Sequence, residues 1–265
     1  MVTALLVVLG FVAGLLGALT GIGGGVILTP ILALHFGIPI RQAIGTSLVA
    51  VITTSAASSS VHLQRHTTDI RLGMTLELAT SLGAAVMAYL VGYFNRNVLE
   101  GLFAAFLLYS AITILSKGGK VKTGEGVPTS PNGETVIPPY EPKRYPLGLS
   151  ASLVAGALSG LLGIGGGPIK VPVMYIFMEV PLMVATATSN FMIGVTAAAS
   201  SMVYYRRGDI LVQAAAPLAV GVFVGSLLGA RLAPRVHTKI VVYLLVGVMF
   251  YLAGHLAIHL LRGGM

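Results

Sequence analysis

The chain has 265 residues, 55% of them hydrophobic and 9% charged, with a formal net charge of +8 and a mean hydropathy of +0.91. Water-soluble domains carry about 25% charged residues, so this composition cannot clothe a soluble surface and the surplus apolar surface must face lipid. Cysteine is absent, which excludes disulfides, thiolate metal sites and thiol nucleophiles. The basic residues fall in short gaps between apolar runs, where they read as topology signals and not as a nucleic-acid footprint.

The first apolar run, 3–20, has the length of a secretory leader but lacks a charged start and recurs later in the chain, so it reads as part of the fold. Further runs follow at 25–40, 42–63, 72–94 and 97–115. Several approach the roughly 20 residues that a spanning helix needs. Residues 117–146 then form a polar linker with Lys117, Lys120, Lys122, Lys143 and Arg144, three glutamates and a cluster of prolines. A second set of runs occupies 147–162, 167–181, 183–205, 210–230 and 237–261. The expected organisation is a first transmembrane repeat over 1–116, the linker over 117–146 and a second repeat over 147–265.

The two halves repeat each other at a shift of 142 positions, which lays GIGGG at 21–25 on GIGGG at 163–167. The same shift brings Pro30 onto Pro172, Pro39 onto Pro181, Thr46-Ser47 onto Thr188-Ser189 and Arg65 onto Arg207. Matches at Gly, Pro, Ser, Thr and Arg exceed what shared apolar composition gives, and duplicated halves are a usual construction of secondary transporters. The fold class expected is therefore an all-α polytopic membrane protein of two homologous halves with glycine-broken helices. The arrangement expected is inverted repeats of about five segments per half, which brings the two glycine loops together from opposite sides; four crossings per half would make the repeats parallel. Under either arrangement one face collects twice the cations of the other and includes the linker, which places the linker in the cytoplasm.

Each GIGGG ends one apolar run and opens the next, with a proline at a fixed distance. Adjacent glycines weaken a helix by about 1 kcal/mol each, and broken backbone inside a bilayer survives only against protein or a water-lined cavity. Such a break exposes N–H groups at a helix start, where anions bind. Gly23, Gly24, Gly25, Gly165, Gly166 and Gly167 are thus candidate substrate-binding residues, although glycines also serve close helix packing. Lys170 lies inside an apolar run where its counterpart is Leu28. A charge at that depth reads as a complement to an anionic substrate, with snorkelling or pairing to a distant carboxylate as the plainer account. Thr46, Ser47, Thr188, Ser189 and Asn190 offer hydroxyl and amide groups to oxyanion oxygens, or else cap and bridge helices. The Ser/Thr/Ala runs from Thr53 and Thr196 read as packing, as does the ladder Gly221, Gly225, Gly229. Glu77 reads as an interfacial or locally paired carboxylate, with proton carriage as the alternative. The histidine pairs His62/His66 and His255/His259 lack a third ligand and read as interfacial, so no metal and no cofactor is expected. No hydrolase or zinc-protease motif occurs, and the chain is not expected to be an enzyme.

The paired elements GALTGIGGGVILTPIL at 17–32 and GLLGIGGGPIKVPVM at 160–174 resemble the TauE/SafE sulfite exporter family, also called the 4-toluene sulfonate uptake permease family. The resemblance covers both halves. It implies transport of sulfur-containing anions across a prokaryotic plasma membrane, and it carries the family's glycine–proline motif onto Gly23, Gly24, Gly25 and Pro30, and onto Gly165, Gly166, Gly167 and Pro172. The function expected is a secondary transporter that exports sulfite, sulfoacetate, other sulfonates or thiosulfate as one half rocks against the other. An anion channel and a non-transporting membrane assembly factor are the alternatives. The expected partners are a small anionic substrate and the lipid bilayer, without nucleic acid; a homodimer is compatible with the sequence.

Overall fold

The computed structural model describes residues 2–118, 139–233, 236 and 238–263; most of the linker, with Lys120 and Lys122, and also Arg235 lie outside the described residues. The described chain is helical, without a strand among the described residues. In order the helices are α1 (Val2–Thr20), α2 (Gly25–His35), α3 (Ile40–Gln64), α4 (Ile70–Leu90), α5 (Arg96–Gly118), α6 (Tyr145–Leu162), α7 (Gly167–Pro172), α8 (Leu182–Arg206), α9 (Val212–Leu232) and α10 (Thr238–Gly263). A short 3₁₀ turn, Val91–Tyr93, follows α4, and a π turn, Val173–Phe177, follows α7. Among the described residues eight helices are long and apolar enough to cross a membrane; the short segments Gly25–His35 and Gly167–Phe177 are not. An α-helix rises 1.5 Å per residue, so eleven residues reach only about half way through a bilayer.

The apolar pattern is that of a chain in lipid. On α4, Leu72, Leu76, Ala84 and Ala88 are buried, while Met74, Leu78, Leu82 and Val86 form an equally apolar exposed stripe. A soluble helix would put charge on that second face.

The closest helix pairs join one half to the other. α1 runs parallel to α9, with the backbone of Gly221 against Val7, Gly225 against Phe11 and Gly229 against Leu15. α4 likewise runs parallel to α6, where Gly156 lies on Thr80 and Gly160 on Ala84. In both pairs the absent side chain lets backbones touch. α3 packs on α8 in the opposite sense: Gly45 meets Tyr204, Ser55 meets Gly194, and His62 meets Asn190. α5 packs on α10.

Hydrogen bonds across the halves recur at the 142-residue spacing of the sequence repeat. The Arg65 guanidinium donates to the carbonyls of Ala230 (3.1 Å) and Arg231 (3.2 Å), the last turn of α9. Arg207 donates to the carbonyls of Ala88 (3.1 Å) and Tyr89, the last turn of α4. Each arginine thus answers the orphan carbonyls and negative pole of a helix in the opposite half. Substituting either arginine by alanine is expected to cost about 1–2 kcal/mol, with lysine recovering only part because it lacks the fork. Melting temperatures of the purified variants in detergent check this, and equal stability of R65A and wild type would refute it.

The segment leading into α6 is tied down outside the membrane. Tyr140 donates to Asp69 Oδ2 at 2.7 Å while Asp69 Oδ1 caps α4 by accepting from Leu72 N at 2.9 Å. Partial burial, reinforced by the Asp69 bond, pushes the Tyr140 hydroxyl well above the usual phenol range. Lys143 pairs with Glu179 at 2.7 Å, and that hydrogen bond holds the exposed Glu179 carboxyl below its ordinary value.

Candidate functional site

The two glycine loops meet each other. A Cβ on Gly25 would run into the carbonyl oxygen of Gly163, and one on Gly167 into that of Gly21, so each loop leaves room for the other only as glycine. Every residue from Gly21 to Gly25 and from Gly163 to Gly167 is buried. Val51 from α3 and Ile193 from α8, both fully buried, fill the space between the loops and touch Gly23 and Gly165.

Matched side chains brace the crossing. Ser47 Oγ donates to Gly163 O at 3.2 Å, and Ser189 Oγ donates to Gly21 O at 2.9 Å. Thr46 Oγ1 accepts from Leu211 N at 3.1 Å, and Thr188 Oγ1 accepts from Asp69 N at 3.0 Å, each at the residue preceding α9 or α4. These four residues therefore fasten one half to the other. Ser47 also receives the Thr29 hydroxyl at 2.7 Å. Pro30 lies inside α2, and Pro172 ends α7, after which the chain widens into the π turn closed by Met178 N to Val173 O at 3.1 Å.

Against this paired scaffold the second half departs from the first. Gly24 has φ −69°, whereas Gly166 has φ +76°, the left-handed region in which glycine is unstrained. Ser159 accounts for the difference in part. It stands where the first half has Gly17, and a Cβ on Gly17 would lie 2.6 Å from Gly24 N, so a loop beside Ser159 cannot take the first half's course.

The departure matters most at Lys170, which is 2% exposed. Its stem lies beside Gly166, and its Nζ reaches Glu77 Oε2 at 3.1 Å and Thr196 Oγ1 at 2.9 Å. Thr196 Oγ1 donates to Glu77 Oε1 at 2.6 Å, and Ser81 Oγ donates to the same oxygen at 2.7 Å. The group joins α4, α7 and α8. Glu77 is 3% exposed, so it neither reaches an interface nor depends on local partners alone.

Asn190 is a further polar residue with an apolar counterpart, Leu48. Its Nδ2 donates to Ala18 O at 3.1 Å and faces His62 Nε2 at 3.4 Å; its buried Oδ1 has no partner among the described residues. His62 is 6% exposed and is not the solvated interfacial histidine that its place near a segment end suggests. Its ring Nδ1 lies 3.4 Å from Thr67 Oγ1. Among the described residues no His, Asp and Glu group is arranged to hold a metal ion. Glu77, Thr196 and His62, which the sequence presents as an interfacial or locally paired carboxylate, a packing residue and an interfacial histidine, belong to this polar interior. One signal does mark two of them: Glu77 faces Ala219, and His62 faces Tyr204, across the repeat.

Eight apolar spans, lipid-facing stripes and a buried crossing of two broken helices define a multi-pass helical membrane protein. The model of the Sulfite exporter TauE/SafE family matches residues 6–256, and the chain belongs to that family. It is 29% identical over 251 residues to the probable membrane transporter protein YunE of Bacillus subtilis, covering 91% of this chain and 92% of that protein. A probable membrane transporter protein of Methanocaldococcus jannaschii is 31% identical over 176 residues, 64% of this chain and 60% of that one. The probable membrane transporter protein YdhB of Bacillus subtilis is 26% identical over 226 residues, 84% of this chain and 88% of its own length. No solved structure matches the chain.

Proposed function

We infer that this chain is a secondary transporter that exports a small sulfur-containing anion, such as sulfite, sulfoacetate or another sulfonate, or thiosulfate, by alternating access. The observation that carries the reading is the buried meeting of two unwound glycine loops beside a buried lysine. In this reading the backbone N–H groups of Gly24, Gly25, Gly165, Gly166 and Gly167 face the anion, Gly23 N secures its loop by donating to Gly17 O, and Lys170 supplies the counter-charge. Pro30 and Pro172 keep the half-length helices from joining into plain spans. Ser47 and Ser189 hold the loops in place, Asn190 holds the end of α1, and Thr46 and Thr188 hold the neighbouring helix starts. No catalytic role is assigned.

The repeats are read as inverted, five segments each. α3 and α8 occupy equivalent places in the two halves yet run in opposite directions, which supports that reading. Arg65, Arg71, Lys143, Arg144 and Arg231 stand at the end of the molecule where the linker begins and ends, against Arg41, Arg96, Arg206 and Arg207 at the other. The linker end is accordingly assigned to the cytoplasm. Because α1 lies on α9 and α4 on α6, the moving bodies are helix bundles drawn from both halves and not the two sequence halves.

The test is flux of labelled sulfite, sulfoacetate and thiosulfate into proteoliposomes holding the full chain. Saturable uptake with counterflow of at least one of them is expected. Folded protein that moves none of them overturns the reading, and unitary currents in a planar bilayer would assign the channel in its place.

A further inference from the structure

We propose that Glu77 is a proton-binding site linked to anion binding through Lys170, so that the anion and one proton travel together. The proposal rests on the transporter reading above. It is carried by geometry and by an internal comparison that the repeat provides. At the repeat-related positions, Leu28 of the first half and Ala219 of the second stand where this site has Lys170 of the second half and Glu77 of the first. Leu28 is fully buried there, and the counterpart of Thr196, Thr54, simply donates to Ala50 O at 3.0 Å. The repeat thus has apolar residues at one set of related positions and a buried ion pair at the other. Buried ion pairs are commonly no more stabilising than apolar groups of similar volume, so packing gives no reason for the charged version.

The partners of Glu77 set what happens when an anion arrives. Lys170 alone among the described residues forms an ion pair with it; the other contacts are the Thr196 and Ser81 hydroxyls. α6, packed along α4, has Tyr145 at its entry and no charged side chain over its length. α8 has none before Arg206, with Tyr204 near that far end, and Tyr175 is the remaining titratable group of the α7 segment. No second cation is thus on hand to take over from Lys170. One ammonium group cannot fully neutralise both a bound anion and Glu77 in a site this buried. When the anion draws the Lys170 ammonium away, the carboxylate is left with two hydroxyl donors, and charge balance is restored by a proton from water binding at Glu77 Oε2. Release of the anion returns Lys170 to Glu77 and expels that proton. The loaded site carries one negative charge fewer than the anion alone, so flux answers to the pH gradient as well as to the anion's own gradient.

The test uses the full chain in proteoliposomes with a trapped pH dye and a sulfoacetate gradient, at about pH 6–8, where sulfoacetate is fully ionised. Wild type is expected to move about one proton with each sulfoacetate, and Glu77→Gln to bring that ratio close to zero. In purified protein, adding sulfoacetate is expected to raise the infrared carbonyl band of a protonated carboxyl, absent in E77Q. Sulfoacetate flux without proton movement in wild type, or an undiminished ratio in E77Q, overturns the proposal while the transporter reading stands. Sulfoacetate binding that raises the band, with no flux of sulfite, sulfoacetate or thiosulfate, supports the linked proton site and overturns the transporter reading. Absence of binding, band and flux in folded protein overturns the proposal. The double variant K170L/E77A, which copies the repeat-related residues Leu28 and Ala219, serves as the folding control.

Discussion

Removing Lys170 alone is expected to unfold the protein far more readily than removing Lys170 and Glu77 together. Lys170→Leu leaves the Glu77 carboxylate buried with hydroxyl partners only, and Glu77→Ala leaves the ammonium facing Thr196 alone. Breaking a buried pair from one side costs about 3–5 kcal/mol, because an uncompensated charge remains, whereas replacing both partners by apolar groups is often neutral. Leu28 and Ala219 stand at the repeat-related positions, Leu28 fully buried and Ala219 partly so, which gives the apolar combination a precedent in the repeat. A double-mutant cycle of melting in detergent, followed by circular dichroism, should therefore give a coupling of at least about 2 kcal/mol. A double variant no more stable than the weaker single one would show that the cost of each single change has another source. Transport behaves differently: K170L/E77A should be folded yet inactive, since the apolar combination restores packing and not the counter-charge.

The second large effect is at the crossing of the loops. Gly25→Ala and Gly167→Ala each drive a methyl group into a carbonyl of the opposite loop, Gly163 and Gly21 respectively. Those obstacles are backbone, held by Ser47 and Ser189, and cannot swing aside as a side-chain tip would. Overpacking of this kind costs about 1–3 kcal/mol and here pushes apart the two segments that the transport reading needs in contact. Both variants should lose stability and sulfonate flux together. Gly247→Ala on α10 is the matched control, because a Cβ there meets nothing within 4 Å. It should be neutral or slightly stabilising, given alanine's better helix propensity. If G25A melts no lower than G247A, the close crossing is wrong.

Much of this was legible in the sequence because the carrying signals are local and occur twice. The GIGGG strings fix where helices break, the flanking prolines mark the half-length segments, and the 142-residue shift pairs Ser47 with Ser189 and Arg65 with Arg207. The Gly221, Gly225, Gly229 ladder reads as a packing face and does pack, on Val7, Phe11 and Leu15. What stayed hidden are partners set by distance in space. Thr46 and Thr188 offer the same hydroxyls whether they meet a solute or a backbone N–H, and only the fold brings Leu211 and Asp69 to them. Glu77 looks interfacial because it lies early in its helix, and its relation to Lys170 spans 93 positions. His62 misleads for the same reason, since α8 covers it through Asn190.

The laying of α1 on α9 also bears on how the protein is made. Helix α1 finds its glycine-faced partner only when α9 has been synthesised. Until then its small-residue stripe rests against lipid or a membrane chaperone, and the amino-terminal half cannot complete its own assembly. Contacts so distant in sequence close late and slowly, so the interval before α9 emerges is when nascent chains of this kind are most exposed to quality-control proteolysis.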